Sequence, residues 1–199
     1  VKTAPNAVSV EPAKPRVYMA GKIYATRDDW RPITGDQQHL DDPTAIARMY
    51  DASAELDCDD FVYIGPFSYG CDHGDAHGNA EHGAGISAME HDLGRCGCIR
   101  ANHPEIKNAR QVLFETCKAR VLRADVVLAY IDSADAFGTF IEIGFANAAG
   151  VPVYIGVSDS MDQHVIDDMW FILRCAKKVY RGEAAQVLYE FGFDVLGRR

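Results

Sequence analysis

Short apolar runs alternate along this chain with longer stretches in which apolar residues recur every three or four positions, from residue 16 almost to the end. Val17-Tyr18-Met19-Ala20, closed by Gly21, reads as a buried strand. So do Phe61-Val62-Tyr63-Ile64, ended by Gly65-Pro66, and the run from Asp125 to Ile131. Pro152 to Ile155 and Lys178 to Tyr180 add two more. Helical spacing covers Pro43 to Leu56, with Asp42 placed as its cap, and Pro104 to Arg123, whose stripe is Ile106, Ala109, Val112, Leu113, Cys117 and Val121. It returns over Gly138 to Ala149, stopped by Gly150, over about Met161 to Cys175, and over about Ala184 to Phe191. Strands alternating with helices predict an α/β fold. The expected form is a single Rossmann-like (flavodoxin-like) domain, with a parallel sheet of about five strands, helices on both faces and right-handed crossovers.

Residues 1 to 15 hold three prolines and no apolar period, so they read as a flexible arm before a domain over 16–199. A chain of 199 residues can bury about two-thirds of the surface its unfolded form exposes. It therefore needs no metal or disulfide framework merely to fold. The formal net charge of -9 disfavours nucleic-acid polymers and anionic membranes as partners and leaves room for a small ligand. No apolar stretch has the length of a membrane span, and no secretory signal is read at the amino terminus, so the expected location is cytoplasmic. The six cysteines follow no small-scaffold pattern and are expected to be mostly free thiols.

In open α/β sheets ligands sit beyond the carboxyl ends of the strands, which directs attention to Gly21-Lys22, to the long loop after Gly65, and to Asp132 through Glu142. Gly138 and Thr139 are expected to open a helix and to place Glu142 in about its first turn. An acidic residue there is favoured by the helix dipole alone. Its apolar neighbours Ile141 and Ile143, and the small residues Gly144 and Ala146, instead suggest a closely packed helix and a partly enclosed carboxylate, which is a candidate nucleophile. Asp132 and Asp135 are either ligand contacts or turn residues. Lys22 could hold a 5′-phosphate or stand in solvent, and Trp30 and Arg31 could touch a ligand or cap the pocket edge. The Gly65–Ser87 loop is long enough to suggest function. It fits a substrate lid in which Phe67, Tyr69, Asp72 or His73 touches a ligand. It also fits a zinc site drawn from Cys71, His73, His77, His82, Cys96, Cys98 and His103, or a plain surface loop.

The opening Val17-Tyr18-Met19-Ala20-Gly21-Lys22-Ile23, then Asp28-Asp29-Trp30-Arg31, then Ala124-Asp125-Val126-Val127 leading to Gly138-Thr139 and Glu142-Ile143-Gly144-Phe145-Ala146, resembles the nucleoside 2-deoxyribosyltransferases and their nucleotide-hydrolysing relatives. The resemblance runs from Val17 to about Tyr180. It implies Glu142 as the nucleophile on the anomeric carbon, Tyr18 hydrogen-bonded to it, and Asp135 near an aspartate that contacts the base. The substrate-contacting set it suggests is Gly21, Lys22, Trp30, Phe67, Asp72, His73, Asp132, Gly138 and Thr139. A second family aspartate, which assists with the base, is replaced here by Cys117. Related sequences also carry a similar Gly-Pro-Phe and Cys-Asp-His-Gly run in the long loop, which favours the lid.

The implied reaction is cleavage and transfer at the N-glycosidic bond, most simply 2-deoxyribosyl transfer between nucleobases, with no cofactor. The implied partners are a nucleoside or nucleotide and a free nucleobase. A second possibility is a hydrolase acting on a nucleoside or its 5′-monophosphate. A third, motivated by Cys117, is a nucleotide-binding module without turnover. The resemblance also implies a homo-oligomer, with Asp167 to Phe171 where a neighbouring subunit would be approached.

Overall fold

A computed structural model describes residues 13–22, 30–31, 48, 50–67 and 109–198. Strands β1 (Arg16–Gly21), β2 (Leu56–Asp57) and β3 (Val62–Tyr63) come first, followed by helix α1 (Ala109–Arg123) and strand β4 (Val126–Ile131). Helix α2 (Phe137–Ala148), strand β5 (Val153–Val157), short helices α3 (Gln163–Asp168) and α4 (Trp170–Leu173), strand β6 (Lys178–Arg181) and helix α5 (Ala184–Val195) complete the chain.

The six strands form one sheet in the order β2-β3-β1-β4-β5-β6. All neighbours are parallel except β2 and β3, which pair antiparallel through Leu56 with Tyr63 and Asp57 with Val62. This corrects the expectation of about five parallel strands: five are parallel, and a two-residue antiparallel edge strand is added. It also corrects the end of the predicted 43–56 helix, because Arg48 and Tyr50 are helical whereas Leu56 already belongs to β2. The turn between them is set by Asp51, whose carboxylate accepts from the Ser53 amide at 2.8 Å and its hydroxyl at 2.7 Å, an Asx-type competitor to helix propagation.

All six residues of β4 are buried, as expected for a central parallel strand covered on both faces. Side chains alternate across the sheet. Val17, Met19, Val126, Leu128 and Tyr130 pack with Val187 and Phe191 of α5, whereas Tyr18, Ala20, Val127, Ala129 and Ile131 pack with Ile143 and Ala146 of α2. Helices therefore lie on both faces. The predicted stop at Gly150 is present: this residue takes φ 74°, and the amide of Val151 returns to the carbonyl of Ala146 at 2.9 Å, closing α2 in the left-handed way that glycine permits. The single helix expected over 161–175 is broken instead, because Met169 at φ -82°, ψ 10° leaves helical geometry between α3 and α4. Among the described residues no helix is long and apolar enough to cross a membrane.

In chain order the five parallel strands lie second, first, third, fourth, fifth across the sheet. The chain leaves β1 towards one edge and returns to β4 on the other side. The carboxyl ends of β1 and β4 thus flank the topological switch point, where ligands gather in such sheets.

Candidate active site

Tyr18 lies in the middle of β1 and is fully buried on the face covered by α2. Its hydroxyl donates a short hydrogen bond to Oε1 of Glu142. Glu142 is the sixth residue of α2, so it sits in the second turn and not the first, since the helix begins at Phe137. The dipole preference that favours acids in first turns fades within that turn and does not account for it. Nor does the helix have a side-chain cap: Ala136 occupies that position. Around Glu142, Ile143 and Ala146 are fully buried, while Ile141 is exposed and Gly144 faces open space. The close packing expected at Gly144 is therefore provided by Ala146.

Glu142 is half-buried, with its carboxyl enclosed by protein. Burial pushes that carboxyl up to about 7, against the opposing pull of the Tyr18 hydrogen bond and the positive charge of Arg31. Cys117, buried on α1, comes within hydrogen-bonding reach of the same Tyr18 hydroxyl, and burial together with the Glu142 charge pushes its thiol up to about 12. Burial first, and then the charges of Cys117 and Glu142, hold the Tyr18 phenol well above its ordinary range. At neutral pH Tyr18 and Cys117 are therefore neutral, and Glu142 is the group poised to change charge.

The structure brings other predicted site residues to the same end of the sheet. Lys22, just past β1, pairs with Asp135 in the loop after β4 at 3.1 Å, so this ion pair spans the β1 and β4 ends. Hydrogen bonds from Ser133 and Lys22 hold the exposed Asp135 carboxylate below its usual range. Asp132, directly after β4, is half-buried, and Thr139 is buried in the first turn of α2, next to an exposed Gly138 with open space where a side chain would go. Gly21 meets Trp30 so closely that a Cβ would fall 2.7 Å from the indole nitrogen, and Trp30 in turn packs on Tyr130 with ring centroids 5.4 Å apart. Here glycine is required by contact.

Phe67 is buried in the core, edge-on to Tyr63 at 5.2 Å and beneath the Arg120 guanidinium at 4.7 Å. Asp72 and His73, with Tyr69 and the Cys71 to His103 group, lie outside the described residues, as does the helix start before Ala109. Among the described residues no cluster of three or more His, Cys, Asp or Glu is placed to hold a metal.

The sequence matches no family model and no curated protein.

Two buried arginines carry more of this site than the sequence signals. Arg31 is buried and donates from Nε to the Met19 carbonyl at 2.9 Å and from Nη2 to the Gly21 carbonyl at 2.6 Å. Arg120, fully buried on α1 and one turn after Cys117, donates to the carbonyls of Asp51, at 2.7 Å, and Arg48. The available signal for Arg120 was its place on an otherwise apolar stripe, since arginine is almost never fully buried without partners.

Proposed function

We propose that this chain breaks and remakes the N-glycosidic bond of nucleosides, most simply by moving 2-deoxyribose between nucleobases on Glu142. The observation that carries the reading is the Tyr18–Glu142 hydrogen bond at the switch point of the sheet: an enclosed carboxyl, oriented by a buried phenol, on the helix that follows the central strand. The resemblance of the motifs around Tyr18, Trp30-Arg31 and Glu142 to the nucleoside 2-deoxyribosyltransferases supplies the substrate class. The finer, flavodoxin-like version of the fold accords with the order of the five parallel strands.

In the proposed reaction an ionised oxygen of Glu142 attacks C1′ as the C1′–N bond breaks, and its electron pair leaves with the base. The sugar is left as an ester on Glu142. The nitrogen of a second base then attacks C1′ and expels the Glu142 carboxylate. Two inversions give net retention, and the nearby anion stabilises the oxocarbenium-like transition states. Tyr18 holds the nucleophilic oxygen in place through both steps. Asp135, kept anionic by Ser133 and Lys22, acts in this scheme as a hydrogen-bond acceptor for the base and not as its acid. Cys117, where the family has an aspartate, remains a protonated thiol, so the departing base takes its proton from solvent or leaves as an anion.

Hydrolysis is the second reading, favoured by the Lys22–Asp135 pair: a 5′-phosphate could compete with Asp135 for Lys22. The homo-oligomer remains part of the proposal, with Trp170 and Phe171 exposed at 62% and 72% where a neighbouring subunit would be met. Light scattering tests it, and a monomer removes it. The cytoplasmic location likewise remains part of the proposal.

The functional test is incubation with a panel of nucleosides and 5′-nucleotides, with and without a second base, followed by chromatography. Base exchange supports the transferase, and sugar release without an acceptor supports the hydrolase. Binding without turnover leaves the non-catalytic module. An adduct trapped on Glu142 and mapped by mass spectrometry identifies the nucleophile directly.

A further inference from the structure

Beyond β3 the sheet has a gap that a side chain fills. The carbonyl of Val17 accepts from the amide of Ile64 at 3.0 Å, and the amide of Met19 donates to the carbonyl of Gly65 at 2.8 Å, so the odd-numbered residues of β1 turn their backbone groups towards β3. An unbroken register would offer Met19 the carbonyl of Ile64, so its bond to Gly65 shows that the register of β3 ends there. Beyond that point Arg31 donates through Nε to the Met19 carbonyl and through Nη2 to the Gly21 carbonyl. Two buried carbonyls that would otherwise lose their partners are satisfied by one guanidinium, whose rigid fork suits two acceptors on one strand edge.

The same guanidinium, seated on the carbonyls of Met19 and Gly21 in the strand whose Tyr18 bonds Glu142, also acts on that carboxyl as a positive charge. The described charged or titratable groups that face Glu142 are Tyr18 from β1, Cys117 from α1, and Arg31 from the segment after β1. Two of these are neutral at physiological pH. Arg31 is the one whose charge favours the ionised nucleophile.

We propose that Arg31 is a positioning residue with two linked tasks: it carries the hydrogen bonding of β1 onward past Gly65, where the register of β3 ends, anchoring the strand that carries Tyr18, and its charge favours the ionised form of Glu142. The inference rests on the nucleophile reading for its consequence in catalysis, but its test needs no substrate.

Protein labelled with carboxyl-13C glutamate is titrated by NMR, and the Glu142 signal is assigned by its loss in Glu142→Gln. Arg31→Met keeps the aliphatic stem but removes the charge and both donors. Its Glu142 midpoint is expected to rise by about one pH unit or more, the usual scale for losing an opposite charge at close range. Arg31→Lys keeps the charge while giving up the fork, so its midpoint should stay within about half a unit of wild type while its urea midpoint falls. An unchanged Glu142 midpoint in folded Arg31→Met overturns the electrostatic task. Should Arg31→Met fail to fold, Arg31→Lys decides: a midpoint raised by a full unit despite the retained charge overturns that task. Unchanged urea midpoints in the variants that fold overturn the hydrogen-bonding task. Base-exchange activity read against pH would shift its acid limb in step with the NMR midpoint. A shifted NMR midpoint in a protein with no activity on any nucleoside would sink the functional reading and leave the role of Arg31 standing.

Discussion

Two carboxylates stand at opposite ends of the β1–β4 pair and live in opposite conditions. At the amino end Asp125, half-exposed, accepts from the Arg16 amide at 2.8 Å and from its guanidinium at 3.1 and 3.0 Å. These bonds hold it below its ordinary range. At the carboxyl end Glu142 is enclosed, receives the Tyr18 hydroxyl, and is pushed up to about 7 by burial. The first carboxylate is satisfied and ties strand to strand. The second is left with its charge costly, which is the condition of a group kept for chemistry at the expense of stability. In the proposed reading the same pair of strands therefore has a structural end and a reactive end, and substitutions at the two should have effects of opposite kind.

The largest effect expected is at Glu142. Replacement by Gln removes the nucleophile and should lower base exchange by on the order of 10³-fold or more, as loss of a covalent catalyst does. Yet the variant should be more stable. The folded-state value of Glu142 lies above its ordinary 4.5, so its ionisation costs the folded state stability as pH rises from about 4.5 through about 7. Discounted for partial exposure, Glu142→Gln should gain about 1–3 kcal/mol at pH 8 and nothing at pH 4, measured by denaturant unfolding at both. A loss of stability at pH 8 would contradict the picture of a strained acid.

Next in size is the pH dependence of the reaction. The nucleophile must be ionised, so kcat/KM should rise with pH along a limb centred near 7. Tyr18→Phe removes a hydrogen bond to the charged form, so it should move that limb upward and reduce kcat/KM by about 10- to 100-fold, the range of a charge-assisted bond. A limb that stays in place, measured across pH 5 to 9, would mean that the phenol does not stabilise the anion.

The reactive end was legible in the sequence to a useful degree, and the reasons differ by residue. Tyr18 lies within the apolar run of β1 and Glu142 comes on the helix after the apolar run of β4, and strand ends at a switch point are general ligand territory. The turn of α2 that carries Glu142 was not legible, because Ala136 gives no capping signal and Gly138 invites the helix to start one residue late. The antiparallel strand β2 was missed because two residues cannot show an alternation, and the nearby apolar positions also fit a helix. Arg31 and Arg120 were missed as structural residues because their acceptors are backbone carbonyls, to which sequence pattern is blind.

At the structural end the signs reverse. Asp125→Asn should leave base exchange per folded molecule unchanged and cost stability by about 0.5–1 kcal/mol near neutral pH, a modest figure because the pair is half in solvent. Since its folded value is depressed, that contribution is present at neutral pH and disappears as pH falls through the acid range. The variant and wild type should therefore converge in unfolding experiments as pH falls below the ordinary aspartate range.

The smallest effect sharpens the comparison, because Asp135 lies at the reactive end but resembles Asp125 chemically: exposed, paired, and held below its usual range. If location alone made a carboxylate reactive, Asp135→Asn would be as damaging as Glu142→Gln. Enclosure is the difference, so the loss should be only a few-fold, expressed in KM for the base, with stability changed by a few tenths of a kcal/mol at most. The same variant removes one carboxylate from Lys22. Relative kcat/KM for a 5′-monophosphate over its nucleoside should rise a few-fold in Asp135→Asn and fall back in the double variant with Lys22→Met, because the half-buried lysine offers a phosphate about what it offered that carboxylate. An Asp135→Asn enzyme crippled as severely as one lacking Glu142 would show that the exposed carboxylate shares in the chemistry, and that burial is not what divides the two ends.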